Sequence, residues 1–216
     1  AYYGEQTRAC ALDRCMERAV KEFNWEEKFK VRDMGNGKIR AAGVAMSMQG
    51  SSISGMDVGS ATIKLSDEGH YNLIIGAADM GTGCDTILAQ IAAECMGCSI
   101  DDISVFGADT DSSPYDSGSY ASSTTYLTGK AVELACEQLQ EKMIEIAAGM
   151  LKCDASELEF KNNAVHKLGT TTEISAYAIS YRSQYFNLTG VQATVSHSSP
   201  YSPPPFMVGM AEVEVD

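Results

Sequence analysis

The sequence predicts an α+β fold of mixed sheet elements and helices. Two long stretches carry helical periodicity, "DTILAQIAAECMG" at 85–97 and a run from about Ser122 to Leu151. A strand pair is written into "SATIKLSDEGHYNLIIGAA" at 60–78, where Ala61, Ile63 and Leu65 alternate with polar residues and Asp67-Glu68-Gly69 supplies a turn. The elements follow one another without a fixed repeat, which argues against a doubly wound parallel sheet.

Taken in order, residues 5 to 23 place Ala9, Leu12, Met16, Ala19, Val20 and Phe23 near helical spacing, predicting an amphipathic helix that ends near Asn24. After "GNGK", the run "IRAAGVAMSM" at 39–48 reads as a buried strand. The helix after the hairpin carries Ile87, Leu88, Ile91, Ala92, Cys95 and Met96 on one face and stops at Gly97. "DISVFGAD" is a short strand, and 109–125 is a polar loop rich in Ser, Thr and Asp. Val132, Leu134, Leu139, Met143, Ile144, Ile146 and Met150 mark the long helix beyond it. "LEFKNNAVHKL" predicts a hairpin over Asn162-Asn163, "TTEISAYAISYR" a short capped helix, and "SHSSPYSPPPF" a stiff connection into a last strand, "FMVGMAEVEVD". That strand breaks off without a turn and the chain lacks an initiator Met, so a segment of a longer chain is expected, with a second lobe from about residue 153.

At 216 residues and 44% hydrophobic, the chain can bury one sizeable core. Its net charge of −13 argues against nucleic acid and anionic membranes as partners, because the long-range field repels both. An anionic ligand would have to be held locally, by backbone N–H groups. Seven irregularly spaced cysteines fit reduced thiols in a cytoplasm better than a disulfide framework. No signal segment and no run of 18 apolar residues is present.

Two loops carry the candidate chemistry. "GAADMGTGCDT", Gly76 to Thr86, runs from a strand into a helix N-terminus, where N–H groups lack intrahelical partners and glycine lets a ligand approach the backbone. Alone it is a weak signal, since it has neither the third glycine of a dinucleotide fingerprint nor the Lys of a P-loop. The second loop crowds Ser117, Ser119, Ser122, Ser123, Thr124 and Thr125 ahead of the long helix. Two such helix starts could jointly hold an extended anionic cofactor. Other motifs fare worse. Asp109, Asp111 and Ser113 begin like an EF-hand loop, but Pro114 stands where glycine is required. Cys95 and Cys98 form a C-x-x-C at a helix C-terminus, where the dipole disfavours a thiolate, and are read as structural. His70, His166 and His197 have no nucleophile in a recognisable order.

"GAADMGTGCDTILAQIAAECMG" and "DTDSSPYDSGSYASSTTYLTGKAVELAC" together resemble the molybdenum-binding large subunits of the xanthine dehydrogenase and aldehyde oxidase family. The first is similar to that family's Gly-Gln-Gly loop and its T-x-x-x-Q-x-x-A-E helix, the second to its Gly/Ser-rich cofactor loop. "GVAMSMQG", "DVGSATIKL" and "AEVEVD" fit as well. The resemblance implies a fragment of the molybdopterin-binding domain of a molybdenum hydroxylase. By position, Gly81, Thr82 and Gly83 would border the pterin, while Ser119, Ser122, Ser123 and Thr124 would donate to cofactor polar groups. One departure is clear: Thr82 stands where the family has Gln.

The resemblance further implies, for the parent enzyme, a molybdenum–molybdopterin cytosine dinucleotide. Its substrate would be an N-heterocycle, purine-like or nicotinate-like, or an aldehyde, with electrons leaving through iron–sulfur and FAD subunits or domains. The family's general base and the segment facing the metal have no counterpart in these residues. No catalytic residue and no metal ligand is therefore expected here, and the fragment is not expected to turn over without the remainder of the large subunit. The competing reading, favoured by Thr82, is a non-catalytic ligand-binding or scaffold module that keeps the fold without the cofactor.

Overall fold

The computed structural model describes residue 7 and residues 9–216. Its backbone divides into two units, 7–51 with 201–216, and 52–200. The part of the first expected helix that falls on residues 5, 6 and 8 lies outside the described residues.

The first unit holds α1 (Leu12–Phe23), the short α2 (Trp25–Lys28), and a sheet of β1 (Arg32–Gly35), β2 (Lys38–Met48) and β10 (Phe206–Val215) in the order β1-β2-β10. Helix α1 begins later than its periodicity suggested and stops at Asn24, whose left-handed backbone returns its N–H to the carbonyls of Lys21 and Val20. The "AEVEVD" strand pairs antiparallel with β2 from Phe206 opposite Met48 to Val215 opposite Ile39. Its acids meet bases: Glu212 bonds Arg32 and Lys28, and Glu214 bonds Arg40 at 2.6 Å and Lys38 at 3.4 Å. Strand β2 does form, but it is not buried. Val44, Met46 and Met48 are exposed, and their cross-strand partners Met210, Val208 and Phe206 share their face. An apolar run specifies a strand, whereas burial needs a second layer; α1 packs on β10, whose Phe206, Val208 and Met210 are half-buried, while Val44, Met46 and Met48 of β2 stay exposed.

The second unit is built on β3 (Gly59–Leu65), β4 (Tyr71–Ile75), β5 (Ile103–Gly107) and β9 (Val191–His197), in the order β5-β4-β3-β9. Strands β4 and β5 run parallel, and the other pairs are antiparallel. Helices α3 (Cys84–Met96) and α4 (Thr124–Leu151) pack with the sheet, and their apolar faces join Ile63, Leu73 and Ile75 in one core. Each such side chain, fully withdrawn from water, stabilises the fold by about 1.5–3 kcal/mol. A small sheet of β6 (Leu158–Lys161), β7 (Ala164–Lys167) and β8 (Glu173–Ser175) turns over Asn162 and Asn163, both left-handed as a two-residue hairpin requires. Ser175 then caps α5 (Ala176–Tyr185) by accepting the Ala178 N–H. Leu158, Val165 and Ile179 join the same core, and residues 153–200 belong to this unit.

Candidate functional site

Helices α3 and α4 run side by side in the same direction. A Cβ on Gly129 would lie 3.0 Å from the Ile91 side chain and 3.9 Å from that of Leu88, and further along the Gln140 amide donates to the Cys95 carbonyl at 2.7 Å. Contacts that advance together along both helices put both N-termini at one end. Both helices also follow the parallel strands β4 and β5, so their starts lie beyond the carboxyl ends of those strands, where open sheets receive ligands. Neither start is closed by a side-chain cap, with Gly83 before α3 and Ser123 before α4.

The first loop closes on its own acid. Asp79 accepts the N–H groups of Gly81 at 2.9 Å and Gly83 at 3.1 Å, and these bonds hold its carboxyl below the usual range. Gly81 and Gly83 have φ of 99° and 73°, and a Cβ on either would meet open space. Both glycines are thus required by the left-handed turn, and the ground above them is clear. Thr82 sits exposed between them. Thr82→Gln is expected to fold with an unchanged Tm and to retain pterin more tightly; unfolding of that variant would show that the loop packs unlike the family's. Cys84 is buried, which raises its thiol, and its ligand atom lies within 4.8 Å of those of Asp79 and Asp85. Asp79 already serves the backbone there.

Removing that carboxyl is expected to loosen the loop in a pH-dependent way. A carboxyl whose folded pKa lies below its unfolded one adds stability above the unfolded value, about pH 4, and loses it as the pH falls through the folded one. Urea midpoints of the native protein and Asp79→Ala should therefore differ at neutral pH and converge below about pH 4. Curves equally separated at every pH would contradict this role for Asp79.

The second loop is anchored by Asp116, which sequence reasoning passed over, and by Ser117. Asp116 accepts the Gly118 N–H at 2.9 Å and the Thr128 hydroxyl at 3.1 Å. Ser117 accepts the Val58 N–H at 3.0 Å, and its own N–H donates to the Val58 carbonyl at 3.1 Å. Asp109, from the EF-hand-like stretch, accepts the Asp111 N–H in a local turn. Of the expected donors, Ser123 is buried and turns its hydroxyl to the Tyr120 carbonyl at 3.0 Å. Thr124 opens α4, and Ser122 is exposed with a left-handed backbone. Ser119 differs from these, because its Oγ is buried and has no hydrogen-bond partner among the described residues.

The two loops meet at Gly76, where a Cβ would come within 2.4 Å of the Pro114 carbonyl oxygen and 2.6 Å of the Asp116 side chain. Beside that contact lies a cavity of about 400 Å³, lined from both loops by residues that include Gly76, Ala78, Asp109, Thr110 and Tyr115. Gly81, Thr82, Gly83, Ser119, Ser122, Ser123 and Thr124 belong to the same two loops but do not line this cavity. The histidines stand apart from it. His70 pairs with Asp102, His166 shares a hydrogen bond with the Lys161 carbonyl, and His197 is held below its usual pKa by burial and then by Lys130.

A buried hydroxyl without a partner, two uncapped helix starts and clear space over the glycines all fit a polar, anionic group at this end of the unit. The molybdopterin cofactor-binding domain family matches residues 18–216. A probable hypoxanthine oxidase, XdhD of Escherichia coli K12, is 32% identical over 212 residues, which is 96% of this chain and 21% of that protein. The putative xanthine dehydrogenase molybdenum-binding subunit XdhA of the same organism is 32% identical over 159 residues, 72% of this chain and 21% of that subunit. The chain thus spans about a fifth of the length of these curated relatives. Among solved structures, CO dehydrogenase from Oligotropha carboxidovorans shares the fold with a TM-score of 0.79 at 22% identity, over 99% of this chain and 29% of that one. The chain belongs to the molybdopterin cofactor-binding domain family, in the molybdenum-binding subunits of the xanthine dehydrogenase and aldehyde oxidase family.

Proposed function

We propose that this chain supplies two cofactor-holding loops to an oxidoreductase that hydroxylates an N-heterocycle, with a purine-like ring favoured over a nicotinate-like ring or an aldehyde. The observation that carries the reading is the paired helix starts, with the orphaned Ser119 hydroxyl between strand and helix. The two Escherichia coli relatives, named for hypoxanthine and xanthine, favour the purine.

In this reading the Ser119 hydroxyl donates to a cofactor oxygen, and Ser122 and Thr124 offer hydroxyls beside it. Gly81, Thr82 and Gly83 border the pterin, with Asp79 fixing their backbone. Ser123 braces the loop from inside and acts on the cofactor through the shape of that loop. The cofactor, in its cytosine dinucleotide form, would supply the oxidative chemistry when bound. The net negative charge of the chain does not oppose this, because bonds from hydroxyls and N–H groups act at contact distance while exposed charges are screened within about 10 Å.

The remainder of the large subunit would bring the catalytic base and the residues that touch substrate, so these residues by themselves would not turn over. The exposed apolar side chains of Val44, Met46 and Met48 support a neighbour of that kind. Iron–sulfur and FAD partners would carry the electrons away. The whole protein would work in the cytoplasm, which suits seven free cysteines. No helix among the described residues is long and apolar enough to cross a membrane.

Mild acid treatment of the purified whole protein tests the cofactor, and turnover tests the substrate. The expected result is CMP released in step with pterin, and hypoxanthine consumed faster than an aldehyde. A folded protein yielding neither CMP nor pterin would favour the scaffold reading that Thr82 raises.

A further inference from the structure

Away from the loops, the interface between α3 and α4 holds a pair of thiols that the proposed function does not use. The contact of Gly129 with Leu88 repeats two helical turns later, which sets residue 136 against residue 95. Both are cysteines, and each is the largest influence on the acidity of the other. Gln140, one turn beyond Cys136 on the same face, holds the Cys95 carbonyl at 2.7 Å and fixes the register. Cys136 is fully buried in the core, while Cys95 is half-buried at its margin, where a small oxidant can reach it.

We propose that Cys95 and Cys136 are a redox pair that hydrogen peroxide closes into a disulfide between the two helices. The sulfur of Cys95 attacks one peroxide oxygen, the O–O bond breaks, and hydroxide leaves, giving a sulfenic acid at Cys95. Cys136 then gives up its proton, its sulfur attacks the Cys95 sulfur, and the sulfenic oxygen departs as water. In balance, two thiols and one hydrogen peroxide yield one disulfide and two waters. The link clamps the helices whose starts carry both loops.

The order of attack follows from the surroundings. The neighbouring Cys136 thiol pulls Cys95 below the usual thiol pKa, against the helix C-terminal dipole that marked it as inert by sequence. Burial pushes Cys98 up to about 11, and the contact with Cys95, with burial, pushes Cys136 up as well. Cys95 is thus the thiol that meets peroxide, and Cys136 the one that resolves it. Cys98, the other half of the C-x-x-C, stands outside the pair.

The test is peroxide treatment of the intact folded protein, alkylation of the remaining thiols, and peptide mapping by mass spectrometry. A peptide linked through Cys95 and Cys136 is expected, reversed by dithiothreitol, lost in Cys95→Ser and Cys136→Ser, and kept in Cys98→Ser. The wild-type map stands whether or not those variants fold. A Cys95–Cys98 link, a sulfinic acid at Cys95 with Cys136 still alkylated, or a link that forms only in urea would each overturn the proposal.

Discussion

Gly76→Ala is expected to destabilise the protein by about 1–3 kcal/mol and to strip it of cofactor, although it adds one methyl group. The new carbon would lie 2.4 Å from the Pro114 carbonyl oxygen and 2.6 Å from the Asp116 side chain. The first obstacle is backbone, so relief requires the second loop to move rather than a side chain to rotate. Moving it pulls Asp116 from Gly118 and Thr128 and reshapes the cavity between the loops. Gly149, inside α4 with nothing within 4 Å of its would-be Cβ, is the control. There alanine should stabilise by about 0.5–1 kcal/mol, as helix propensity dictates. Urea denaturation of both variants, with pterin content measured in parallel, checks the contrast. A Gly76→Ala protein as stable and as pterin-rich as the native one would mean that the loops do not meet as described.

Asp116→Ala should be comparably damaging by a different route. It leaves the Thr128 hydroxyl, 1% exposed, without its acceptor, and it frees the Gly118 N–H. An unsatisfied buried donor costs about 1–3 kcal/mol. The larger effect is on function, because Asp116 ties the second loop to α4 just before Ser119. Asp116→Asn keeps one acceptor oxygen, and the Thr128 hydroxyl can turn to accept from the new amide. Pterin retention should therefore fall steeply in the alanine variant and recover in part with asparagine. Equal loss in both would assign the role of Asp116 to its charge.

What the sequence disclosed follows from how local each signal is. The helices at 84–96 and 124–151 repeat their apolar residues over three or more turns, and both asparagine and glycine turns sit where left-handed backbone is needed. Strand β9 was not anticipated, although Val191, Ala193 and Val195 alternate with polar residues. Alanine and threonine give that alternation little contrast, and the strand is defined by its partner β3 from Leu65 opposite Val191 onward. Strand β2 shows the converse, a sequence apolar enough for a core in a strand that stays largely exposed.

The same distinction divides the site. Positions of the two loops were legible because glycines and hydroxyl residues cluster before helix starts. Asp79 and Asp116 were not recognised as loop anchors, since an acid in a polar loop reads alike whether it faces water or closes onto nearby N–H groups. Ser123 and Ser119 are equally plausible donors by sequence. Only the folded loop turns one hydroxyl to the Tyr120 carbonyl and leaves the other buried without a partner. Nor could spacing within either helix pair Cys95 with Cys136, because that contact exists only once α3 and α4 pack in register.

In the proposed function the two loops form one cradle for a molybdenum cofactor. The molybdenum and pterin content of the whole protein, purified folded from its native host, beside that of its Ser119→Ala variant, decides between this reading and its alternative. Close to one molybdenum and one pterin per native chain are expected, with a clear loss of both in a variant that melts at the native temperature. A folded native protein that carries neither would contradict it, and so would a Ser119→Ala protein as fully loaded as the native one.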